Sequence, residues 1–131
     1  MGRQHVRDGW LNIRQQKTKA MVDIPILDEL QRIIDASPTG ELTFIVTEFH
    51  KPFSIKGLGN KMREWCDQAG LPQCSSHGLR KAMATRLADL GCSPHEIMAI
   101  GGWETLKEVE RYTKTANRKR LAAQVKTRID G

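Results

Sequence analysis

Four residues whose side chains could act together on a phosphate lie between positions 77 and 112. His77 and Arg80 are three residues apart, Trp103 follows in a Gly-Gly-Trp turn, and Tyr112 is the only tyrosine of the 131 residues. Residues three apart on a helix are neighbours, so a helix over 76–90 would bring His77 and Arg80 to one point. A guanidinium suits a phosphate or carboxylate, and an imidazole can donate to the same oxyanion or move a proton. The spacing therefore predicts an anion site.

Tyr112 is the candidate nucleophile of this site. A neutral phenol is a weak nucleophile, so attack requires nearby cations that stabilise the phenolate and the charge that builds on the target. The alternative is that the His-Arg pair lies on a solvated helix face and that Trp103 and Tyr112 belong to the hydrophobic core. The order and spacing of all four residues favour the site.

The cysteines and histidines also allow a metal site. Cys74 with His77, and Cys92 with His95, form two Cys-x-x-His pairs, a spacing that zinc can use. Each pair would begin a helix, however, and the sequence shows no pattern of supporting residues around them, so we expect no metal. With Cys66 the cysteines number three, which argues against a disulfide framework and indicates a reducing compartment.

Three short motifs resemble those of tyrosine recombinases, the phage integrase family. They are His-Gly-Leu-Arg at 77–80, Ile-Gly-Gly-Trp at 100–103 and Val-Glu-Arg-Tyr at 109–112. In the family, His-x-x-Arg lies on a helix, a Leu-Gly-His or Leu-Gly-Trp-like turn follows, and the nucleophilic tyrosine comes next. Trp103 stands nine residues before Tyr112, as the family pattern requires, although histidine is commoner at the position of Trp103.

The resemblance implies a particular reaction on double-stranded DNA. Tyr112 would attack the scissile phosphate and form a 3′-phosphotyrosyl bond. Arg80, His77 and Trp103 would hold the non-bridging oxygens. Because side chains supply the positive charge and the phosphotyrosine conserves the bond energy for religation, neither a metal nor another cofactor is implied. The full-length protein would act on DNA as a homo-oligomer, a tetramer.

A β-hairpin is expected near the beginning of the chain. Alternating apolar residues in Trp10–Arg14 and Met21–Ile26 flank a polar tip, Gln15–Ala20. Lysines at such a tip commonly favour solubility alone. The resemblance implies instead that Lys17 is the general acid that protonates the leaving 5′-oxygen and that Lys19 lies at the DNA. A flexible ammonium can deliver a proton, whereas arginine holds its proton too tightly.

The overall charge also favours an acidic partner such as DNA. Lysine and arginine number 21 against 15 acidic residues, which gives a net charge of +6 and a pI near 9.5. Many soluble proteins are mildly basic too, so the charge supports DNA binding without requiring it. The candidate phosphate contacts outside the motifs, which could equally form a solvated face, are Lys19, Lys56, Lys61, Arg63 and Lys81.

The remaining pattern predicts mostly helices. They are expected over Leu27–Ala36, from a cap at Ser54 to about Gln68, over 76–90, after a capping box at Ser93 and Glu96, around Tyr112 after Thr105, and over Ala116–Ile129. A third short strand is expected at Leu42–Val46.

Three of these helices carry apolar stripes that should be covered. In the helix after Ser54 we expect burial of Ile55, Leu58, Met62 and Trp65, and in the helix over 76–90 burial of Leu79, Met83, Leu87 and Leu90. The last helix carries Leu121, Val125 and Ile129, which could pack on the chain's own core or on another protomer.

We therefore predict a mainly α fold with a small antiparallel β-sheet, like that of an integrase catalytic domain, with residues 1–131 as a single domain. No apolar run approaches the ~18 residues of a membrane span and no signal region is evident, so a cytoplasmic protein is expected. The family has a further arginine on a helix ahead of the hairpin, and Arg3 and Arg7 lie too close to the first strand to replace it. The chain is thus expected to be the C-terminal portion of a catalytic domain that alone cleaves DNA weakly or not at all.

Three other functions stay open. The chain could be a relative that binds or regulates DNA without cutting it, a structural domain that mediates assembly, or a DNA-relaxing enzyme like the type IB topoisomerases. Covalent adduct formation lost with Tyr112 separates the first from a recombinase. Binding to DNA that weakens steeply with salt argues against the second, and loss of supercoils without strand exchange identifies the third.

Overall fold

The computed structural model describes residues 1–131, whose contacts divide them into an N-terminal unit, Met1–Ser76, and a C-terminal unit, His77–Gly131. The elements are mainly helical with one small antiparallel sheet, as predicted. No helix combines the length and the apolar character that crossing a membrane requires.

The N-terminal unit begins with a 3-10 turn and a three-stranded antiparallel sheet of order β1-β2-β3. The strands are β1 (Val6–Arg7), β2 (Trp10–Arg14) and β3 (Met21–Pro25). The predicted hairpin is confirmed, with Ile13 opposite Val22. Strand β1 was not predicted, although the Asp-Gly pair before Trp10 is a two-residue turn signal. Both turn residues, Asp8 and Gly9, have positive φ, which matches the twist of paired strands.

The third strand predicted at Leu42–Val46 is wrong. Only an isolated bridge between Val46 and Pro52 is present there. The backbone of this segment is used in other ways, because the Gly40 amide donates to the Thr43 carbonyl and the Phe44 amide donates to the Met1 carbonyl. A turn and a hydrogen bond to the first residue of the chain thus take the place of the expected strand pairing.

Two helices complete the N-terminal unit, α1 (Asp28–Ala36) and α2 (Ile55–Gln68). Ser54 caps α2 by accepting from the Gly57 amide, as predicted. Gly70 follows the helix with φ of 74°.

The predicted burial of one face of α2 is wrong. No residue of the helix is buried, and the exposed members of the stripe are Ile55, Leu58 and Trp65. The physical reason is a small core, since Val22 is the only buried hydrophobic side chain of the N-terminal unit.

The C-terminal unit contains α3 (Ser76–Asp89), α4 (Pro94–Gly101) and α5 (Leu106–Asp130). Its core is formed by Ala84, Ala88, Ile97 and Val109. The leucine stripe predicted for α3 is wrong, since Leu79, Met83 and Leu90 are exposed, by 62%, 41% and 70%, and only Leu87 packs on the core. The prediction chose the buried face by hydrophobicity alone. The small alanine side chains let neighbouring residues approach the helix closely, which leucines at those positions would prevent.

Helix α5 is continuous through Tyr112, whereas two separate helices were predicted. No glycine or proline occurs between Leu106 and Asp130 to interrupt it. Its first half packs on the core through Val109 and Thr113, but its last ten residues are exposed. The possibility that the stripe of Leu121, Val125 and Ile129 packs on the chain's own core is therefore wrong.

Candidate active site

Arg80 lies on the same face of α3 as the core alanines, because Arg80, Ala84 and Ala88 are spaced by four residues. Its half-buried guanidinium stacks on the indole of Trp103, with Cζ 4.1 Å from the ring centroid. Arg80 therefore does not lie on a fully solvated helix face, as the alternative for the His-Arg pair required. The guanidinium makes no hydrogen bond within the chain, so its donors are available to an anion while the ring fixes its position.

Two glycines set the position of Trp103, and each has a separate role. Gly102 ends α4 in the left-handed conformation, with φ of 70°, and its amide donates to the Met98 carbonyl. Gly101 lies beneath the indole, where an added Cβ would come within 2.0 Å of the Trp103 ring. The Gly-Gly sequence therefore turns the chain and leaves space for the ring.

Tyr112 is placed by the packed half of α5. Val109 and Thr113 on the same helix face are buried, and the Tyr112 ring packs at the edge of the core. Its centroid lies 6.2 Å from that of Trp103, with the planes inclined by 45°. Both rings are half-buried, so they contribute to the core and still reach the surface.

A second arginine, which was not singled out from the sequence, contacts the phenol. Arg111 Nη2 donates a hydrogen bond of 2.9 Å to the Tyr112 hydroxyl, and Arg111 Cζ lies 4.8 Å from the ring centroid. The only available signal was a cation next to the single tyrosine. That signal is weak, because consecutive residues of a helix do not face each other.

The structure thus joins three of the four motif residues in one row of contacts, from Arg80 to Trp103 to Tyr112, and adds Arg111 at the far end. His77 lies one helical turn before Arg80, exposed and without a hydrogen bond. Two cations flanking two aromatic rings can bind an anion beside a phenol.

Lys17 and Lys19 belong to the N-terminal unit. Both are exposed in the turn between β2 and β3, which is closed by hydrogen bonds from the Gln15 amide to Ala20 and from the Lys19 amide to Gln15. Lys19 has a positive φ of 61°. The predicted role of Lys17 as a general acid stays a prediction.

The other candidate DNA contacts differ in whether their charged groups already pair with other groups of the chain. Arg63 donates to the Cys74 carbonyl at 2.9 Å and pairs with Asp67, and Lys61 pairs with Glu64 at 3.3 Å. Lys56 and Lys81 are exposed and form no ion pair, which makes them the better candidates for a phosphate.

The cysteine and histidine side chains do not gather into a cluster. No group of three or more histidine, cysteine, aspartate or glutamate side chains is placed to hold a metal ion. The Cys-x-x-His pairs at Cys74 and Cys92 therefore have no further ligands beside them.

The fold is similar to those of solved recombinases. XerA recombinase matches with a TM-score of 0.70 and 17% identity over 94% of this chain and 49% of that chain. The Tn1549 transposon integrase in complex with a circular intermediate DNA matches with a TM-score of 0.64 and 15% identity over 92% of this chain and 52% of that chain. The same integrase in complex with transposon right end DNA matches with a TM-score of 0.62 and 14% identity over 93% of this chain and 52% of that chain.

The chain spans about half the length of these structures. No curated protein is similar enough in sequence to count as a match. The model of the phage integrase family, however, matches residues 2–119, which include all three motifs of the candidate site. From that match, the chain belongs to the phage integrase family.

Proposed function

We propose that this protein cuts and rejoins double-stranded DNA at specific sites through a covalent phosphotyrosine. The observation that carries the proposal is the row of contacts from Arg80 to Trp103 to Tyr112, which sets anion donors beside the only phenol of the chain. Membership of the phage integrase family supports it. Integrase structures of similar fold contain DNA, which supports DNA as the partner here.

In the proposed reaction the Tyr112 oxygen forms a bond to phosphorus as the bond from phosphorus to the 5′-oxygen breaks. The phenolic proton passes to solvent, and the leaving oxygen takes a proton from the Lys17 ammonium. The guanidinium of Arg80, the His77 imidazole and the Trp103 indole N–H donate to the non-bridging oxygens, where negative charge builds. Attack by a 5′-hydroxyl on the phosphotyrosine reverses these steps and rejoins the strand.

We further propose that several copies of the protein act together on DNA, in the cytoplasm. Exchange between two duplexes requires more than one nucleophile, and each chain has a single tyrosine. The net charge of +6 favours the association with DNA.

The test is a nicked suicide duplex, from which a short fragment diffuses away after cleavage and leaves the protein covalently trapped. Adduct is measured in a denaturing gel at saturating DNA, so that changes in affinity do not enter. Tyr112→Phe should form none. Arg80→Ala should slow adduct formation by about 100- to 1,000-fold, as loss of a preorganised donor does elsewhere. Arg86→Ala, an exposed arginine on the same helix, is the matched control and should react at nearly the original rate.

The assay should be run on the 131 residues and on a longer chain if the coding sequence continues upstream of Met1. Abundant adduct from the 131 residues alone would show that no further arginine is needed. Adduct from Tyr112→Phe would refute the assignment of the nucleophile. DNA binding without adduct from either chain would identify a non-catalytic relative, and relaxation of supercoils without strand exchange would identify a topoisomerase.

A further inference from the structure

Arg111 holds the reactive oxygen of Tyr112 in a way that the helix does not impose. Side chains one residue apart on a helix diverge by roughly 100° and normally do not touch. Arg111 nevertheless lies along the Tyr112 ring at 4.8 Å and donates to its hydroxyl at 2.9 Å. The guanidinium thus contacts both the face of the ring and its oxygen.

Arg111 makes this contact although carboxylates are near in sequence. Glu108 lies three residues earlier on α5, at a spacing where ion pairs form readily. Its carboxylate accepts from the Thr105 hydroxyl instead, and Arg111 takes part in none of the ion pairs of the chain. The preference for a phenol over a carboxylate indicates a role tied to Tyr112.

We propose that Arg111 is a further catalytic residue, which stabilises the phenolate oxygen of Tyr112 as it becomes the nucleophile. This inference rests on the proposed function. The phenolic proton leaves to water, Arg111 keeps its own proton, and the phenolate accepts the guanidinium hydrogen bond with one lone pair while another forms the bond to phosphorus. Arg80 and Trp103 act on the phosphate, whereas Arg111 acts on the nucleophile.

Two measurements test this role with the variants Arg111→Met and Arg111→Lys. The first is the rate of adduct formation on the suicide duplex at saturating DNA. The second needs neither DNA nor cleavage. It is the rate at which tetranitromethane forms nitrotyrosine near neutral pH, which depends on phenolate and reports Tyr112 alone because no other tyrosine is present. Arg118→Met is the matched control, an exposed arginine seven residues on along the same helix that makes no side-chain hydrogen bond, ion pair or ring contact.

Arg111→Met should lower the rate of adduct formation by about tenfold, the size expected for losing a hydrogen bond to a charged group, and should also slow nitration because the donor to the Tyr112 oxygen is gone. Arg111→Lys should recover part of the loss because it keeps a cationic donor, and Arg118→Met should nitrate at the original rate. Equal or faster nitration in Arg111→Met would overturn the inference, because Arg111 would then be neutral or would shield the phenol. If Arg111→Met nitrates normally while Tyr112→Phe abolishes adduct, the inference fails and the proposed function stands. Adduct from Tyr112→Phe is instead a failure of the proposed function.

Discussion

At the scale of single residues, two glycines decide whether the aromatic side chains can meet. Gly102 supplies a backbone conformation with positive φ that L side chains rarely adopt. Gly101 has no such requirement and is fixed by space alone, since the Trp103 ring occupies the volume where a side chain would begin. The position of Arg80 depends on the same contact, because its guanidinium stacks on that ring.

Gly101→Ala should therefore destabilise the protein although alanine favours helices over glycine. An indole packed at the core cannot move aside like the end of a flexible chain, and overpacking of this kind costs about 1–3 kcal/mol. Gly59→Ala in α2 is the control, because nothing lies within 4 Å of its added Cβ, and it should be neutral or stabilising by up to about 1 kcal/mol. Urea denaturation of both variants measures the difference. Equal stabilities would mean that the ring does not need the space over Gly101.

At the scale of elements, the short helix α4 is defined at both ends. Ser93 Oγ accepts from the Glu96 amide at 3.2 Å, the Ser93 amide donates to the Glu96 carboxylate at 2.8 Å, and Pro94 begins the helix. Helix α5 begins after Thr105, as predicted, but without a capping box of this kind. Thr105 makes no hydrogen bond to the backbone of α5, and its hydroxyl donates to the Glu108 side chain instead.

The capping box makes part of the stability depend on pH. Hydrogen bonds from the Ser93 backbone amide, and next from its side chain, hold the pKa of the Glu96 carboxyl below its usual value, while desolvation opposes this. Because the folded-state pKa is lowered, the unfolded chain binds more protons in this range. The stabilisation is therefore full above the usual glutamate pKa and is lost as pH falls through the folded-state pKa.

Glu96→Gln should accordingly be less stable than the original protein at pH 7 and equally stable in strong acid. Glutamine can still accept the hydrogen bond from Ser93 but lacks the charge that favours a helix N-terminus. Urea midpoints measured at a series of pH values test this, with Glu104→Gln as the control, since Glu104 is exposed and makes no hydrogen bond. A difference that persists unchanged into acid would assign the effect to something other than the charge.

At the scale of the whole molecule, apolar surface is left uncovered where helix patterns predict burial. The last part of α5 is the clearest case, because Leu121, Val125 and Ile129 follow one face beyond the residues that pack on the core. Uncovered apolar stripes are typical of surfaces that associate. Within our proposal of several copies on DNA, this stripe is where a second copy would pack.

Two valines of α5 provide a matched test. Val109 is fully buried and Val125 is 50% exposed. Val109→Ala should lower the free energy of unfolding by about 2 kcal/mol, because two buried side-chain carbons are removed and a cavity is left. Val125→Ala should cost less than about 0.5 kcal/mol in the monomer. Sedimentation of the DNA complex should show weaker assembly for Val125→Ala only. A large loss of monomer stability in Val125→Ala would mean that the chain's own core covers the stripe.

The sequence by itself determined most of the elements and the motif that defines the family. The hairpin, α1, α2 and α4 follow from alternation, helical periodicity and caps, which are local properties of a few consecutive residues. His77, Arg80, Trp103 and Tyr112 were recognisable because their types and spacing are specific. Strand β1 could have been found from the Asp-Gly turn.

Tertiary structure alone decided which faces are buried and which side chains touch. The core of the C-terminal unit is built on Ala84 and Ala88 rather than on the leucines of α3. The reason is that close packing of α3 depends on the shape of the residues that it meets and not on hydrophobicity alone. The contact of Arg111 with Tyr112 opposes the direction that helix geometry gives neighbouring side chains. Such choices depend on three-dimensional packing and on side-chain conformation, which a pattern in one segment does not contain.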